Sequence, residues 1–279
     1  MFLHGAGERG NDNVSQLKNG ILVPFSDPNS PIHNCIVVAP QCPAGKKWVE
    51  YPNGGAAQYC QYSTDMFAES APLKALLELI DVLEGEYNVD SDRIYATGLS
   101  MGGYGTWDLL ARHGEIFAAA IPVCGGVDVS HADVYKDIPI YTFHGLKDTT
   151  VPSTGTLNVV DKIKELGGEK ITLVTYPDGA HSIWNTAYGT QGLFEWLLSH
   201  KLSDRTSSDA IENTTTPSNT TTNVLTDTTA PESTSAVETT QNAVTSENNS
   251  DSSCGGASML ATLISVAVGI LGVAVLKKY

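Results

Sequence analysis

The sequence predicts an α/β domain whose mostly parallel sheet carries helices on both faces. Three observations predict it. Short β-rich apolar runs alternate with stretches of helical periodicity from residue 35 to residue 201, the pattern of successive strand–helix–strand units. The strand runs carry few polar residues, as expected of strands covered on both faces. Gly167 and Gly168 supply a stop between a helical run and the last strand.

The elements follow in order. Cys35 to Ala39 (CIVVA) reads as a buried strand. Ala71 to Tyr87 places leucines and an isoleucine at helical spacing, and Arg93 to Thr97 (RIYAT) is the next strand. Met101 to His113 reads as a helix, Ala118 to Val123 as a strand, and Ile138 to His144 as another. Thr154 to Leu166 is a helix stopped by Gly167 and Gly168, Ile171 to Tyr176 the last strand, and Ile183 to Lys201 one closing helix.

Beyond residue 202 the composition changes. Residues 203–253 hold 24 Ser or Thr among 51, and no aromatic residue occurs between Trp196 and Tyr279. Such a stretch buries too little apolar surface to offset its ordering entropy, so a disordered stalk is expected over 203–258. Met259 to Leu276 is 18 uncharged, mostly apolar residues, followed by Lys277 and Lys278. At about 1.5 Å per residue a helix of this length just crosses a bilayer core. The reading is therefore a catalytic domain over 1–202, a stalk, a transmembrane helix over 259–276 and a short basic tail over 277–279. The two lysines place the C-terminus inside the cell and the domain at the cell surface. Asn213, Asn219 and Asn248 match glycosylation sequons, which are expected by chance in a stalk of this composition.

Of the net charge of −15, the stalk contributes −7 from eight acids and one arginine, and the tail +2, leaving −10 on the domain. An acidic domain excludes nucleic acid and anionic membrane surfaces as expected partners. The cysteines form no zinc spacing. Cys35 and Cys124 sit in apolar runs as small buried hydrophobes. Cys42 and Cys60 flank one loop, where a disulfide and two thiols are both open.

Gly98-Leu99-Ser100-Met101-Gly102 joins a predicted strand to a predicted helix. In that setting a Gly-x-Ser-x-Gly turn exposes a serine hydroxyl, and the flanking glycines let strand and helix backbones approach. A serine hydroxyl needs a base to take its proton, and the base needs an orienting acid. Of the histidines after Ser100, His113 and His200 fall at helix ends as solvated residues. His181 lies in the loop after the last strand, where ligands and chemistry gather in open α/β sheets, and is the expected base. Asp148, just past the strand ending at His144, is the preferred acid, and Asp128, after the preceding strand, is its rival. The Met101 amide at the helix nose and the Ala6 amide in His4-Gly5-Ala6-Gly7 are the expected oxyanion donors, with Gly7 second to Ala6. His4 is assigned a structural role, holding that loop by hydrogen bonds.

These segments resemble α/β-hydrolases, in particular the secreted esterases and predicted peptidases related to family-one carbohydrate esterases (feruloyl and acetyl esterases), polyhydroxybutyrate depolymerases and prolyl-oligopeptidase-like hydrolases. The resemblance is carried by FLHGAGERGN (2–11), VAPQCP (38–43), DRIYATGLSMGGYGTW (92–107), HGLKDTTVP (144–152) and HSIWNTAY (181–188). It implies the Ser100–Asp148–His181 triad, no cofactor and no metal. It also implies a pocket that Trp48 and Trp184 line, ordinary packing being the alternative for both. In the fold it implies, the His-Gly loop follows the third strand of the sheet. Two further strands and an export signal are thus expected before Met1, and without them one apolar sheet edge is left uncovered. The expected activity is hydrolysis of carboxylic esters, on small molecules or polysaccharides. Cleavage of short peptides and a non-catalytic surface binding protein are the alternatives.

Overall fold

Short β-branched and small apolar runs form the centre of the molecule, and a computed structural model describes residues 1–50, 63–209, 264–265 and 272–276. Five strands make one parallel sheet in the order β1 (Phe2–Leu3), β3 (Tyr95–Leu99), β4 (Ala119–Val123), β5 (Ile140–Gly145) and β6 (Ile171–Tyr176). Parallel neighbours require crossovers, and helices supply them. Side chains alternate across the sheet as the strand period of two dictates. Ala120 and Ile140 face one apolar layer with Leu76, Leu109 and Val159. Ala119, Ile121, Val123 and Phe143 face the opposite layer with Phe25, Leu193 and Leu197. This is the α/β-hydrolase arrangement: a mostly parallel sheet covered on both faces.

The Ala71–Glu86 helix shows how local sequence seats an element. Ser70 caps it by accepting from the Leu73 amide, and Pro72 lies in the first turn, where no amide partner is needed. Leu73, Leu76, Leu79, Ile80 and Leu83 bury one face, each such burial contributing about 2 kcal/mol. The Ser70 hydroxyl also donates to the Trp48 carbonyl, tying the helix start to the loop after β2 (Val37–Gln41).

Three expectations are corrected. The single closing helix over 183–201 is instead Trp184–Tyr188 and Leu193–Ser199, followed by Leu202–Asp209. The break falls at Gly189–Gly192, with Gly192 in the left-handed region at φ 79°, a conformation no helix propagates. Secondly, β2 is not in the parallel sheet register. It pairs antiparallel along its whole length with β8 (Gly272–Leu276), which also pairs with β7 (Ile264–Ser265). Thirdly, the described residues of the 259–276 segment are these two strands and not a helix, and among the described residues no helix is long and apolar enough to cross a membrane. Gly-Val-Ala-Val-Leu is an apolar run whose periodicity suits strand and helix equally. The unpaired amides and carbonyls of β2 decide the matter by offering it a ladder. Among the described residues the end strand β1 of the parallel sheet pairs with β3, and the C-terminal segment pairs with β2 in a second sheet. The stalk over 203–258 lies almost wholly outside the described residues, as do Cys60, the three sequons and the 277–279 tail.

Candidate active site

Ser100 stands between the last residue of β3 and the first of the Met101–His113 helix, at φ 53° and ψ −117°. A non-glycine residue at this φ is strained. The strain is held by the Ser100 amide on Val123 O (2.9 Å) and by the Tyr104 amide on Ser100 O (3.1 Å). The flanking glycines are required by contact: a Cβ on Gly98 would lie 2.3 Å from Gly102 O, and one on Gly102 would lie 1.9 Å from Leu3 O. Strand, turn and helix are therefore packed backbone to backbone, which lifts the hydroxyl above the sheet.

Two loops from far along the chain meet that hydroxyl. Ser100 Oγ lies 2.8 Å from His181 Nε2, and His181 Nδ1 lies 2.7 Å from Asp148 Oδ2. A carboxylate only accepts, so Nδ1 carries the proton and Nε2 offers its lone pair to the serine hydroxyl. Asp148 follows β5 and is buried, with Oδ1 accepting the Thr150 and Val151 amides at 2.9 and 2.8 Å. Burial pushes its carboxyl pKa up, but hydrogen bonds from His144, His181 and the Val151 amide outweigh that and hold it well below the usual range. The His181 loop seats against the end of β5 because Gly145 has no side chain. A Cβ there would lie 2.3 Å from Ala180 O, where the Lys147 amide now reaches Gly179 O.

The loop after β1 passes beside the serine, and a Cβ on Gly5 would lie 3.7 Å from Ser100 Cβ. Ala6 follows Gly5 and opens the short turn Ala6–Glu8, and Met101 follows Ser100 and opens its helix. His4 clamps this loop. Its Nε2 accepts the Cys42 amide at 2.8 Å, its Nδ1 lies 2.6 Å from Gly5 O, and its carbonyl accepts Trp48 Nε1–H at 3.0 Å. Burial lowers its pKa to about 4, the Gly5 hydrogen bond pulling the other way.

Since the unfolded chain binds a proton on His4 near pH 6.5 and the native chain does not, native stability is lost as pH falls from 6.5 towards 4. The full contribution is about 3 kcal/mol. His4→Gln is expected to flatten the fall of unfolding free energy across that window. Wild-type and variant curves that run parallel from pH 7 to 4 would remove this role.

Trp48 is fully buried, edge-on to His4 at 5.3 Å, and packs under the loop rather than lining a pocket, because its indole N–H is committed to His4 O. Trp184 is partly exposed, 5.7 Å from the His181 ring and edge-on to it. Asp128 is spent on structure: it accepts the Thr64 amide, the Ser130 amide and the Ser130 hydroxyl, with no hydrogen bond to His181. His113 and His200 are partly buried at their helix ends: His113 pairs with Glu69 at 2.8 Å and His200 packs on Trp196 at 4.8 Å. Cys42 is a buried thiol whose pKa burial pushes up to about 12.

Sequence reasoning passed over His144. It is fully buried at the end of β5, with Nε2 3.4 Å from Asp148 Oδ2, and its position four residues before the acid is the signal that could have found it. Cys124, His144 and Asp148 bring potential ligand atoms within 4.8 Å of one another. Both His144 nitrogens and both Asp148 oxygens are already hydrogen-bonded, so the cluster is a brace and not a vacant ligand set.

A strained serine at a strand–helix elbow, hydrogen-bonded through a histidine to a buried aspartate on a covered parallel sheet, defines an α/β-hydrolase of the serine hydrolase class. The comparisons narrow this to an esterase- or peptidase-like member. Residues 69–142 match the prolyl oligopeptidase family. A crystal structure of a thermostable esterase is similar, with TM-score 0.59 and 37% identity, over 72% of this chain and 54% of that one. A bifunctional acetylxylan esterase/xylanase of Neocallimastix patriciarum is 33% identical over 101 residues, 36% of this chain and 14% of that protein. A poly(3-hydroxyalkanoate) depolymerase of Paucimonas lemoignei is 33% identical over 52 residues, 19% of this chain and 13% of that protein. The chain thus spans about half the length of the solved esterase and a smaller share of the two curated relatives.

Proposed function

We propose that the protein hydrolyses carboxylic esters through an acyl-enzyme on Ser100, acting on ester decorations of polysaccharides or on related small esters. The observation that carries the proposal is the continuous hydrogen-bond chain Ser100–His181–Asp148. In the first half-reaction the Ser100 proton passes to His181 Nε2 as Oγ bonds to the ester carbonyl carbon. The charge that develops on the carbonyl oxygen is met by the Met101 and Ala6 amides. Collapse breaks the bond to the alcohol oxygen, which leaves with the proton from His181. Water then repeats the sequence on the acyl-enzyme, freeing the acid and restoring Ser100. Asp148 keeps the imidazole in the tautomer that accepts at Nε2 and stabilises the imidazolium between steps.

The esterase relatives support the substrate class, and Trp184 beside His181 offers an apolar wall for an acyl or aryl group. Work at a cell surface belongs to the same proposal, supported by the Ser/Thr/Asn-rich composition of the 203–258 stretch. A second reading, a peptidase acting on short peptides, is favoured by the prolyl oligopeptidase match at 69–142. That match includes Ser100 but neither Asp148 nor His181. A non-catalytic binding protein is the third, and the intact hydrogen-bond chain argues against it.

One substrate panel separates them. Methyl ferulate or acetylated xylan is expected to be turned over with kcat/KM at least about tenfold above a proline-containing peptide amide. Peptide cleavage above ester cleavage establishes the peptidase. No turnover and no labelling by a fluorophosphonate establishes the binding protein.

A further inference from the structure

Asp148 meets two imidazoles, and the mechanism above uses one. Its Oδ1 is pinned by the Thr150 and Val151 amides. Two donors on one oxygen leave the carboxylate free to swing about that oxygen. Oδ2, the atom that meets His181, would be fixed by His181 alone, yet His181 lies in a partly exposed loop whose proton changes in every turnover. His144 supplies the missing restraint. Its side chain is completely buried, its Nε2 lies 3.4 Å from Oδ2 and 2.9 Å from Val151 O, and its Nδ1 lies 2.9 Å from Thr156 Oγ1. The Val151 carbonyl can only accept, so the proton sits on Nε2, shared between that carbonyl and Oδ2. Nδ1 then accepts the Thr156 hydroxyl at 2.9 Å, a shorter contact than the 3.4 Å from that hydroxyl to Gly125 O.

We propose that His144 is a positioning residue: its buried Nε2–H fixes Oδ2 of Asp148, so that the carboxylate meets His181 in a single orientation. The proposal rests on the ester-hydrolase reading and adds a fourth member, seated on the strand rather than on a loop. Because β5 pairs with β4 and β6 on either side, the brace is as rigid as the sheet, and Thr156 ties it to the Thr154–Glu165 helix. The other titratable group facing the brace is Cys124, whose buried thiol is pushed up to about 12 and stays neutral over the assay range. The Lys147–Asp178 pair lies at the exposed rim.

The test uses the full chain, a small activated ester, and the variants His144→Phe, His144→Gln and Thr156→Val, each checked for a cooperative thermal transition. Phenylalanine keeps the ring volume and loses the donor. It is expected to lower kcat about tenfold or more with KM within about threefold, because the acid is misaligned rather than the substrate displaced. With its competitor gone, Oδ2 accepts more strongly from His181 Nδ1–H, so the acid limb of kcat/KM is expected to move up by about half a pH unit. Glutamine returns an N–H near the same place and is expected to restore kcat to within about threefold.

Wild-type kcat in His144→Phe overturns the proposal. So does an equal loss in Phe and Gln variants with the acid limb unmoved, the mark of a merely structural residue. If His144→Phe does not unfold cooperatively, Thr156→Val decides: a loss of about threefold in kcat with the same upward limb shift supports the brace, and wild-type kinetics overturns it. No turnover by the wild type overturns the hydrolase reading and this one together. Wild-type turnover matched by His144→Phe overturns this one alone.

Discussion

Ser100→Ala is expected to lower kcat on a small activated ester by about 10⁴-fold or more and to abolish labelling by a fluorophosphonate, while leaving the fold intact. Among the described residues the hydroxyl is held by His181 Nε2, so its loss removes the nucleophile while its partner sits in a partly exposed loop. His181→Ala is expected to match it, because members of such a chain act as a unit and removing either ends the same proton transfer. Asp148→Asn is expected to cost somewhat less. Its Oδ1 contacts to two amides survive the change, but an amide nitrogen at Oδ2 would face the Nδ1–H of His181. The double comparison with Asp128→Asn is sharp. Asp128 ties the 63–67 loop to the 128–131 turn and does not reach His181, so its effect should fall on stability. A larger kinetic loss in Asp128→Asn than in Asp148→Asn would reassign the acid, and labelling that persists in Ser100→Ala would reassign the nucleophile.

Gly102→Ala is expected to abolish cooperative folding, a larger structural effect than any change at the triad. The added Cβ would lie 1.9 Å from Leu3 O, 2.4 Å from Leu3 C and 2.8 Å from His4 O, all backbone atoms. They cannot withdraw, because Leu3 is in register with Gly98 and His4 is locked by Cys42 and Trp48. The cost is expected to exceed about 4 kcal/mol, a large share of a domain's total stability. Gly85→Ala is the control. It lies in the Ala71–Glu86 helix with nothing within 4 Å of the added Cβ, and is expected to stabilise by about 1 kcal/mol through helix propensity. Denaturant unfolding of the two variants checks the pair. A Gly102→Ala protein with the wild-type midpoint would show that the elbow has room, and the account of its strain would fail.

Much of the site was legible because its signals are local. The Gly-x-Ser-x-Gly turn needs glycines at fixed offsets and a strand-to-helix change of period, and both lie within sixteen residues of Ser100. His181 and Asp148 stood out because each follows a predicted strand at the sheet's carboxyl edge. The strands themselves were readable because apolar runs between turn residues have few other uses, and the boundaries shifted by a few residues only.

What the sequence determined by itself, then, is the order of elements, the parallel sheet they imply and the three residue types with the right positions to react. The tertiary structure decided everything that depends on which distant segment packs against which. Asp128 and Asp148 both follow strands, and only packing shows Asp148 Oδ2 at 2.7 Å from a histidine 33 residues away while Asp128 is consumed by neighbouring amides. Trp48 carries no mark of its burial beneath His4, 44 positions earlier. His144 reads as one more strand residue until the sheet places it against Asp148. The C-terminal apolar run illustrates the limit best. Its hydrophobicity suits strand and helix equally, and for the described Gly272–Leu276 the choice of strand goes with the ladder that it forms with β2.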